Sequence, residues 1–129
     1  MNREIVMLST YFKSMIDQDR SAVVVCGLDH TILYMNPAAV TLYEKWGGAA
    51  LLGKSLLDCH NAASCAAIQR VVDWFAESAD HNILFTHHNA KKNRDVYMVA
   101  LRDENGALIG YYEKHESRTL ETARPYDMT

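Results

Sequence analysis

The stretch that decides the fold of this chain is residues 21–39, which read SAVVVCGLDHTILYMNPAA. The apolar runs at 22–26 and 31–35 have the length and residue types of strands, and Gly-Leu-Asp-His between them predicts a tight turn. Asn36 is a strong helix N-cap, because its side chain accepts a hydrogen bond from a backbone N–H group in the first turn. Pro37 suits the first helical position, where its missing N–H group costs little. The stretch therefore predicts a strand, a turn, a second strand and a helix.

Upstream of this stretch, residues 3–19 predict an amphipathic helix. Its apolar side chains recur at the spacing of one helix face. Two heptads are too few for an independent coiled coil. We expect the apolar stripe to lie against the domain's own sheet and also to contribute to a homodimer with a second copy of the chain. The stripe consists of Ile5, Leu8, Phe12 and Met15.

Downstream, the helix that follows Asn36 carries Tyr43 and Trp46 among its apolar residues. It is expected to end at Gly47-Gly48, because glycine adopts the left-handed C-cap conformation at little cost. Residues 49–57 predict one or two short helical turns.

A longer helix is predicted over about residues 62–78, with Asn61 as its N-cap. Its polar residues face water, and its apolar residues form a stripe at helical spacing. The stripe consists of Cys65, Ile68, Val71, Val72 and Phe75.

The last third of the chain changes to β structure. Strands are predicted over 81–89, 95–102 and 107–115, with Asn105-Gly106 in the final turn, since Asn-Gly tolerates the positive φ values of a hairpin. Both faces of the middle strand are apolar, so both faces of the sheet must be covered. We expect the central helices to cover one face and the N-terminal helix, or a partner, to cover the other. Residues 116–129 are polar and predict a loose tail.

Size and charge exclude several classes of protein. The chain has 129 residues, which is enough for one domain. Its net charge of −3 and pI near 6.0 give no basic face for nucleic acid. No apolar run approaches the roughly 18–20 residues that span a bilayer, and charged residues interrupt any signal-peptide core. Three cysteines, an odd number, argue against a disulfide framework and predict a reducing, cytoplasmic location.

Three short motifs follow one another along the chain. The motifs are Tyr34-Met35-Asn36-Pro37-Ala38-Ala39, Leu52-Gly53-Lys54-Ser55-Leu56, and Arg102-Asp103-Glu104-Asn105-Gly106 with Gly110. In this order and spacing they resemble the PAS family over about residues 20–116. The resemblance implies an α+β fold, in which a five-stranded antiparallel sheet carries short helices on one face and follows an N-terminal amphipathic helix. It divides the chain into a dimerisation helix (1–19), a PAS domain (20–116) and a polar C-terminal tail (117–129).

A fourth element, Asp58-Cys59-His60-Asn61, resembles the Cys-His element that begins the long helix in a bacterial PAS subgroup. That subgroup often continues with Pro, which this chain lacks. PAS domains that pass signals onward usually end their last strand in an Asp-Ile-Thr-like sequence, where this chain has His115-Glu116-Ser117-Arg118. The resemblance implies sensing or dimerisation and leaves open how the signal leaves, including through a signalling partner in trans.

The PAS fold implies a ligand cavity between the inner face of the sheet and the helices. Aromatic walls with a few polar groups suit a small or flat organic ligand. His60 is expected near the mouth of the cavity. In the alternative interpretation, the same side chains fill the core and leave no cavity. The candidate ligand-binding residues are Tyr34, Tyr43, Trp46, His60, Ile68, Val72, Phe85, His87, Tyr97 and Tyr111.

Metal binding and catalysis are not predicted. Cys59, His60 and Cys65, with His87-His88, are residue types that hold zinc. Their spacing matches no standard zinc module, however, and Cys65 also fits the apolar stripe of its helix. Paired carboxylates, a phosphate loop and a catalytic triad do not stand out, so the chain is not expected to be an enzyme.

Haem is the more serious cofactor alternative, because several PAS sensors hold it through a histidine beside the pocket. Haem-binding relatives usually place that histidine further along the long helix, where this chain has Val71, Val72, Asp73 and Trp74. Flavin is not expected, because an Asn-Cys-Arg-type motif is missing near Cys59. We therefore expect a stand-alone bacterial PAS domain that senses a small molecule and forms a homodimer. The rivals are a haem-based gas or redox sensor and a ligand-free dimerisation adaptor.

Overall fold

The computed structural model describes residues 3–129, with side chains from Leu8 onward. Within this range, helices and strands follow one another in the order that the sequence predicts. The elements are α1 (Arg3–Gln18), β1 (Ala22–Gly27), β2 (Ile32–Met35), α2 (Pro37–Leu42), the 3-10 helices Glu44–Trp46, Gly48–Leu51 and Leu56–Cys59, α3 (Ala62–Glu77), β3 (Ile83–Asn89), β4 (Arg94–Arg102) and β5 (Leu108–Ser117).

The strands form one antiparallel sheet in the order β2-β1-β5-β4-β3. β5 lies at the centre, between β1 and β4. Helices α2 and α3 and the 3-10 helices pack over one face, which we call the inner face. The predicted α+β fold, with a five-stranded antiparallel sheet and short helices on one face, is confirmed.

The hydrophobic core lies between the inner face and these helices. Strand residues alternate between the two faces, and Val24 of β1, Met98 of β4 and Tyr111 of β5 point inward. Phe75 of α3 is fully buried against them. Burial of each such side chain contributes about 1.5–3 kcal/mol, so the core holds α3 and the sheet together.

Asn36 joins α1 and β1 to α2 in addition to capping α2. Its Oδ1 accepts hydrogen bonds from the backbone N–H groups of Ala39 and Val23, both at 2.9 Å. Its Nδ2 donates to the carbonyl oxygens of Ile16 and Ser21, also at 2.9 Å. The predicted capping role is confirmed, and the same buried amide fixes the end of α1 and the start of β1.

Helix α1 contacts the outer face of the sheet through its last turn. Ile16 is half-buried there, and the hydroxyl of Tyr34 donates a hydrogen bond to Asp17. One turn earlier, Lys13 Nζ lies 5.5 Å from the centroid of the Tyr34 ring. The apolar stripe itself is mainly exposed, so the prediction that it is buried against the domain's own sheet is wrong for the side chains described. Their exposed fractions are 50% for Leu8, 56% for Phe12 and 68% for Met15, and the side chain of Ile5 lies outside the described residues.

The C-terminal end of α3 is held by a side chain from β4. Arg102 donates through Nη2 to the carbonyl oxygens of Phe75 (2.7 Å), Ser78 (3.0 Å) and His81 (3.2 Å). Its Nε donates to Asn82 at 2.8 Å. The last carbonyl groups of a helix have no partner within the helix. Arg102 therefore supplies their hydrogen bonds and places a positive charge at the negative end of the helix dipole.

Strand β3 contains a bulge at Thr86. The register pairs Phe85 with Tyr97 and His87 with Val96, so Thr86 is one extra residue on β3. Its hydroxyl donates to the carbonyl of Val96 at 3.0 Å. A bulge of this kind changes which way the following side chain points. As a result, Phe85 lies on the outer face and His87 on the inner face, although one residue separates them.

Gly110 brings β5 close to β1. A Cβ atom at this position would lie 2.3 Å from the carbonyl oxygen of Cys26, which is a backbone atom that cannot move aside. The central strand pair therefore requires glycine here.

Residues 118–129 follow β5 as exposed chain without helix or strand. Arg118 ties the beginning of this segment to the sheet, because its Nε donates to Asp95 at 2.6 Å and its Nη2 to the hydroxyl of Tyr97 at 2.8 Å. The side chains beyond this point lie in solvent.

Candidate ligand cavity

A cavity of about 420 Å³ lies between α3 and the strands β3, β4 and β5. Sites for small molecules typically have volumes of about 300–1,000 Å³, so the cavity is large enough for one. Its lining combines apolar side chains with a few polar ones. The lining residues are His60, Ser64, Ala67, Ile68, Arg70, Val71, Trp74, Leu84, Thr86, His87, Met98 and Glu113.

One wall of the cavity is apolar and comes from one face of α3. Ala67, Val71 and Trp74 are separated by four and three residues, which places them on the same side of the helix. Leu84 of β3 and Met98 of β4 form the opposite wall. Walls of this kind hold the aromatic or aliphatic body of a ligand.

The ring of Trp74 is held in place by His81. The two rings stack with their centroids 4.0 Å apart and their planes at 5°. His81 Nδ1 also donates a hydrogen bond to the backbone carbonyl of Trp74 at 2.7 Å. This bond fixes the imidazole and the stack fixes the indole, so the wall is formed before any ligand binds.

A buried carboxylate lies on the sheet side of the cavity. Glu113 of β5 is only 6% exposed. Its Oε1 accepts hydrogen bonds from the hydroxyl of Tyr43 at 2.8 Å and from Nε2 of His115 at 2.7 Å. Both bonds end on the same oxygen, and Oε2 has no hydrogen-bond partner among the residues that the structure describes. Oε2 is therefore the oxygen that remains for a molecule in the cavity.

Glu113 is ionised at neutral pH. Burial by itself would raise its pKa, but the hydrogen bond and charge of His115, with the hydroxyl of Tyr43, outweigh burial and hold the pKa below its usual value. Burial and the charge of Glu113 in turn raise the pKa of Tyr43. Tyr43 thus keeps its proton and serves as a donor to the carboxylate.

Histidine and arginine side chains border the outer part of the cavity. His60 Nδ1 donates to the backbone carbonyl of Leu56 at 2.9 Å, which directs Nε2 away from that carbonyl. His87 and Arg70 are exposed and line the cavity near solvent. The cavity therefore has an ionised carboxylate at its buried side and the guanidinium of Arg70, a hydrogen-bond donor, near its opening.

Three of the predicted ligand-binding residues line this cavity, namely His60, Ile68 and His87. The notable case is His87, because the bulge at Thr86 turns it inward. Whether these residues contact a ligand remains a prediction.

Three other candidates are core residues. Val72 is buried on α3, and Tyr111 is fully buried, with its hydroxyl 2.7 Å from Nδ1 of His30. Tyr43 is also buried but acts on the cavity indirectly, through its hydrogen bond to Glu113. These side chains fill the space between α2, α3 and the sheet, as the core-filling interpretation expected.

Four aromatic candidates lie outside the cavity, and the prediction that they line it is wrong. Tyr34 is on the outer face, where it contacts Asp17 of α1. Phe85 and Tyr97 pair on the same outer face with their ring centroids 5.5 Å apart. Trp46 is half-exposed in a 3-10 helix. Sequence alternation was insufficient here, because each strand has apolar residues on both faces.

The main residues that sequence reasoning missed are Trp74, Met98 and Glu113. Glu113 lies two residues after Tyr111 on the same strand, so the period of two places both on the inner face. Trp74 lies three residues after Val71 on α3. Both positions carried a usable signal, but the tertiary pairing that forms the cavity was not visible in the sequence.

Cys26 is buried, and Cys59 and Cys65 are partly buried. Cys65 donates a weak hydrogen bond from Sγ to the carbonyl of Leu57 at 3.3 Å, and burial raises the pKa of the Cys59 thiol. Among residues 8–129, no three His, Cys, Asp or Glu side chains lie close enough together to hold a metal ion. Helix α3 contains no histidine, and the histidines that line the cavity are His60 and His87.

A family model described as the PAS fold matches residues 16–120 of the chain. The chain belongs to the PAS family. No curated protein shows significant sequence similarity to it. PAS domains are sensory modules of signal transduction, and in general they do not catalyse reactions.

Solved PAS structures agree with this assignment. A PAS domain from Colwellia psychrerythraea is 18% identical, with a TM-score of 0.64 over 86% of this chain and 96% of that one. The PAS domain of BvgS from Bordetella pertussis is 17% identical, with a TM-score of 0.60 over 88% of each chain. The Aer2 receptor from Vibrio cholerae, described as a dual PAS-heme oxygen sensor, is 17% identical, with a TM-score of 0.58 over 77% of this chain and 95% of that one.

At these identities the likeness concerns the fold alone. Within the part of the chain that the structure describes, none of the helices has the length and apolar character needed to cross a membrane.

Proposed function

We propose that this PAS domain senses a small organic molecule that binds between α3 and the sheet. The observation that carries the proposal is a cavity of about 420 Å³ that is lined by a preformed apolar wall and reaches an ionised, buried carboxylate. Cores are normally packed without large voids. A space many times the roughly 30 Å³ of one water molecule, with Glu113 at its side, is better suited to a ligand than to the protein's own side chains.

A pair of variants on α3 tests this proposal. Ala67→Phe places a ring in the cavity, whereas Ala66→Phe adds the same ring at an exposed position on the same helix. Mass spectrometry of material released on denaturation, with an absorption spectrum of the purified protein, identifies what each variant carries. We expect a molecule with the native protein and Ala66→Phe, and its loss from Ala67→Phe.

The rival functions predict different results. A Soret band that depends on His60 or His87 would identify a haem sensor, and this is the second candidate because both histidines line the cavity. If no molecule is released from any form, and the two variants respond equally to a small-molecule screen by thermal shift, the ligand-free dimerisation adaptor replaces the sensor.

We also propose that the chain forms a homodimer through α1. The stripe side chains Leu8, Phe12 and Met15 are half or more exposed, and Phe85 on the outer face of the sheet is 55% exposed. Each copy thus has an exposed apolar helix face and an exposed apolar sheet face. When the helix of each copy packs on the sheet of the other copy, both faces are covered. Large exposed apolar patches mark interaction sites.

Light scattering tests the dimer. Leu8→Ser with Phe12→Ser should give a folded monomer, because these side chains are exposed in the single chain and contribute little to its own stability. Leu52→Ser with Leu120→Ser removes two exposed leucines elsewhere and should leave the dimer intact. A dimer that persists in the first variant, or is lost in the second, would exclude the helix stripe as the interface. The domain boundaries, the cytoplasmic location and a signalling partner in trans are further proposals.

A further inference from the structure

The feature that leads beyond a generic ligand cavity is the unequal use of the two oxygens of Glu113. Oε1 accepts both hydrogen bonds, from Tyr43 and His115, whereas Oε2 has no hydrogen-bond partner among the described residues. The side chain is 7% exposed and lines the cavity. A carboxylate has acceptor sites on both oxygens, so half of the capacity of this group faces the cavity unused.

The charge of Glu113 is also incompletely balanced. Its ion-pair partner among the described residues is His115, which is charged only when protonated. Tyr43 contributes a neutral hydroxyl, and the other titratable groups around the cavity are His60, His87 and Arg70 at its border. A buried carboxylate is unfavourable unless it is paired and hydrogen-bonded. A positively charged N–H donor inside the cavity would supply both the charge and the hydrogen bond.

We infer that the cavity selects ligands that carry a cationic nitrogen with N–H groups, such as an amidinium or a protonated amine, bound to Oε2 of Glu113. This inference rests on the proposed function of the cavity. The body of the ligand lies between Trp74 on α3 and Leu84 and Met98 on the sheet, which are apolar surfaces suited to a ring. Hydrogen bonds between charged groups are shorter and stronger than neutral ones, so the carboxylate favours a cation over a neutral or anionic ligand of the same shape.

Three small probes with the same ring separate these possibilities. Benzamidine carries a cationic amidinium, benzamide a neutral amide and benzoate an anionic carboxylate. Binding to the 129-residue chain is followed by NMR at the indole N–H of Trp74, and the indole of Trp46, which lies outside the cavity, serves as an internal control. We expect benzamidine to bind at least tenfold more tightly than benzamide, and benzoate to bind most weakly.

Two variants on β5 connect the selectivity to one carboxylate. Glu113→Gln should reduce benzamidine binding at least tenfold and bring it close to that of benzamide. Glu116→Gln removes a carboxylate that pairs with Lys114 and Arg118 outside the cavity, and should leave binding unchanged. If Glu113→Gln does not fold, the order of the three probes on the native chain decides the question.

The outcomes also separate this inference from the sensor proposal. If benzamide or benzoate shifts Trp74 with an affinity equal to or greater than that of benzamidine, the cation selectivity is wrong while the ligand cavity stands. The same conclusion follows if benzamidine binds Glu113→Gln as tightly as the native chain. If none of the three probes shifts Trp74, and Ala67→Phe behaves like Ala66→Phe, both the inference and the ligand cavity are wrong.

Discussion

The replacement of Asn36 by alanine measures how much stability one buried amide provides. Two asparagines of this chain cap helices in the same way, since Asn36 accepts from the N–H group of Ala39 at 2.9 Å and Asn61 from that of Ser64 at 2.8 Å. The two asparagines differ in their burial and in their other hydrogen bonds. Asn36 is fully buried and makes further hydrogen bonds to α1 and β1, whereas Asn61 is exposed. Asn61→Ala is therefore a matched control for the loss of a cap.

The expected magnitudes follow from these contacts. The loss of an N-cap costs about 1 kcal/mol, and each further hydrogen bond lost at a buried site costs about 1 kcal/mol. Beyond the cap, Asn36 makes three hydrogen bonds of 2.9 Å, to Val23, Ile16 and Ser21, and a longer one of 3.4 Å to Asp19. Asn36→Ala should thus lower the free energy of unfolding by about 3–4 kcal/mol, against about 1 kcal/mol for Asn61→Ala.

Thermal and urea unfolding, followed by circular dichroism, measure both effects. At an unfolding entropy of about 2.1 cal/mol/K per residue, a chain of this length loses about 4 °C of melting temperature per kcal/mol. Asn61→Ala should melt about 4 °C lower than the native chain and Asn36→Ala about 12–16 °C lower. Equal shifts in the two variants would mean that the bonds from Asn36 to α1 and β1 contribute nothing, and the three-way attachment would be refuted.

Three further predictions concern single side chains. Arg102→Lys removes the planar guanidinium group that donates to the carbonyl groups at the end of α3. Urea unfolding should therefore show that the free energy of unfolding falls by about 1.5–3 kcal/mol, while Arg94→Lys on the same strand should have little effect. Gly110→Ala forces a Cβ atom against a backbone oxygen of β1 and should lower the free energy of unfolding by about 3 kcal/mol. The control Gly106→Ala places its Cβ in open space at positive φ and should lower it by about 1 kcal/mol. Equal losses in the two variants would contradict the close approach of β5 to β1. Because the pKa of Glu113 is depressed in the folded state, its contribution to stability is complete above the unfolded pKa of about 4.3 and is lost as the pH falls through the folded value. The urea midpoint should therefore decrease less between pH 5 and 3 in Glu113→Gln than in the native chain, and parallel pH profiles would show that this carboxylate is not responsible.

Much of the fold was predictable because its signals are local. Asn36-Pro37 and Asn61 carry capping chemistry in their own side chains, and the helices begin where these residues indicate. Asn105-Gly106 likewise marks the hairpin between β4 and β5. Each of these features depends on a few consecutive residues, so the sequence alone contained enough information.

The cavity was only partly predictable, since it depends on which faces meet in three dimensions. The aromatic residues of β3 and β4 qualified by residue type, but Phe85 and Tyr97 point outward. Glu113 was overlooked because an acidic residue in a strand normally indicates a solvated face. Two hydrogen-bond partners explain its burial. Tyr43 lies far from Glu113 in the sequence, and His115 lies on the same strand.

Because Thr86 is an extra residue in β3, the cavity wall tolerates a change in chain length at this point. Because Phe85 and His87 already face opposite sides, deletion of Thr86 would leave an ordinary strand in which both keep their present orientation and their partners on β4. β3 is one of the two edge strands of the sheet, so such a change would leave the pairing of β4 with β5 and of β5 with β1 undisturbed. Deletion of this one residue would remove a side chain from the lining of the cavity without altering the rest of the fold.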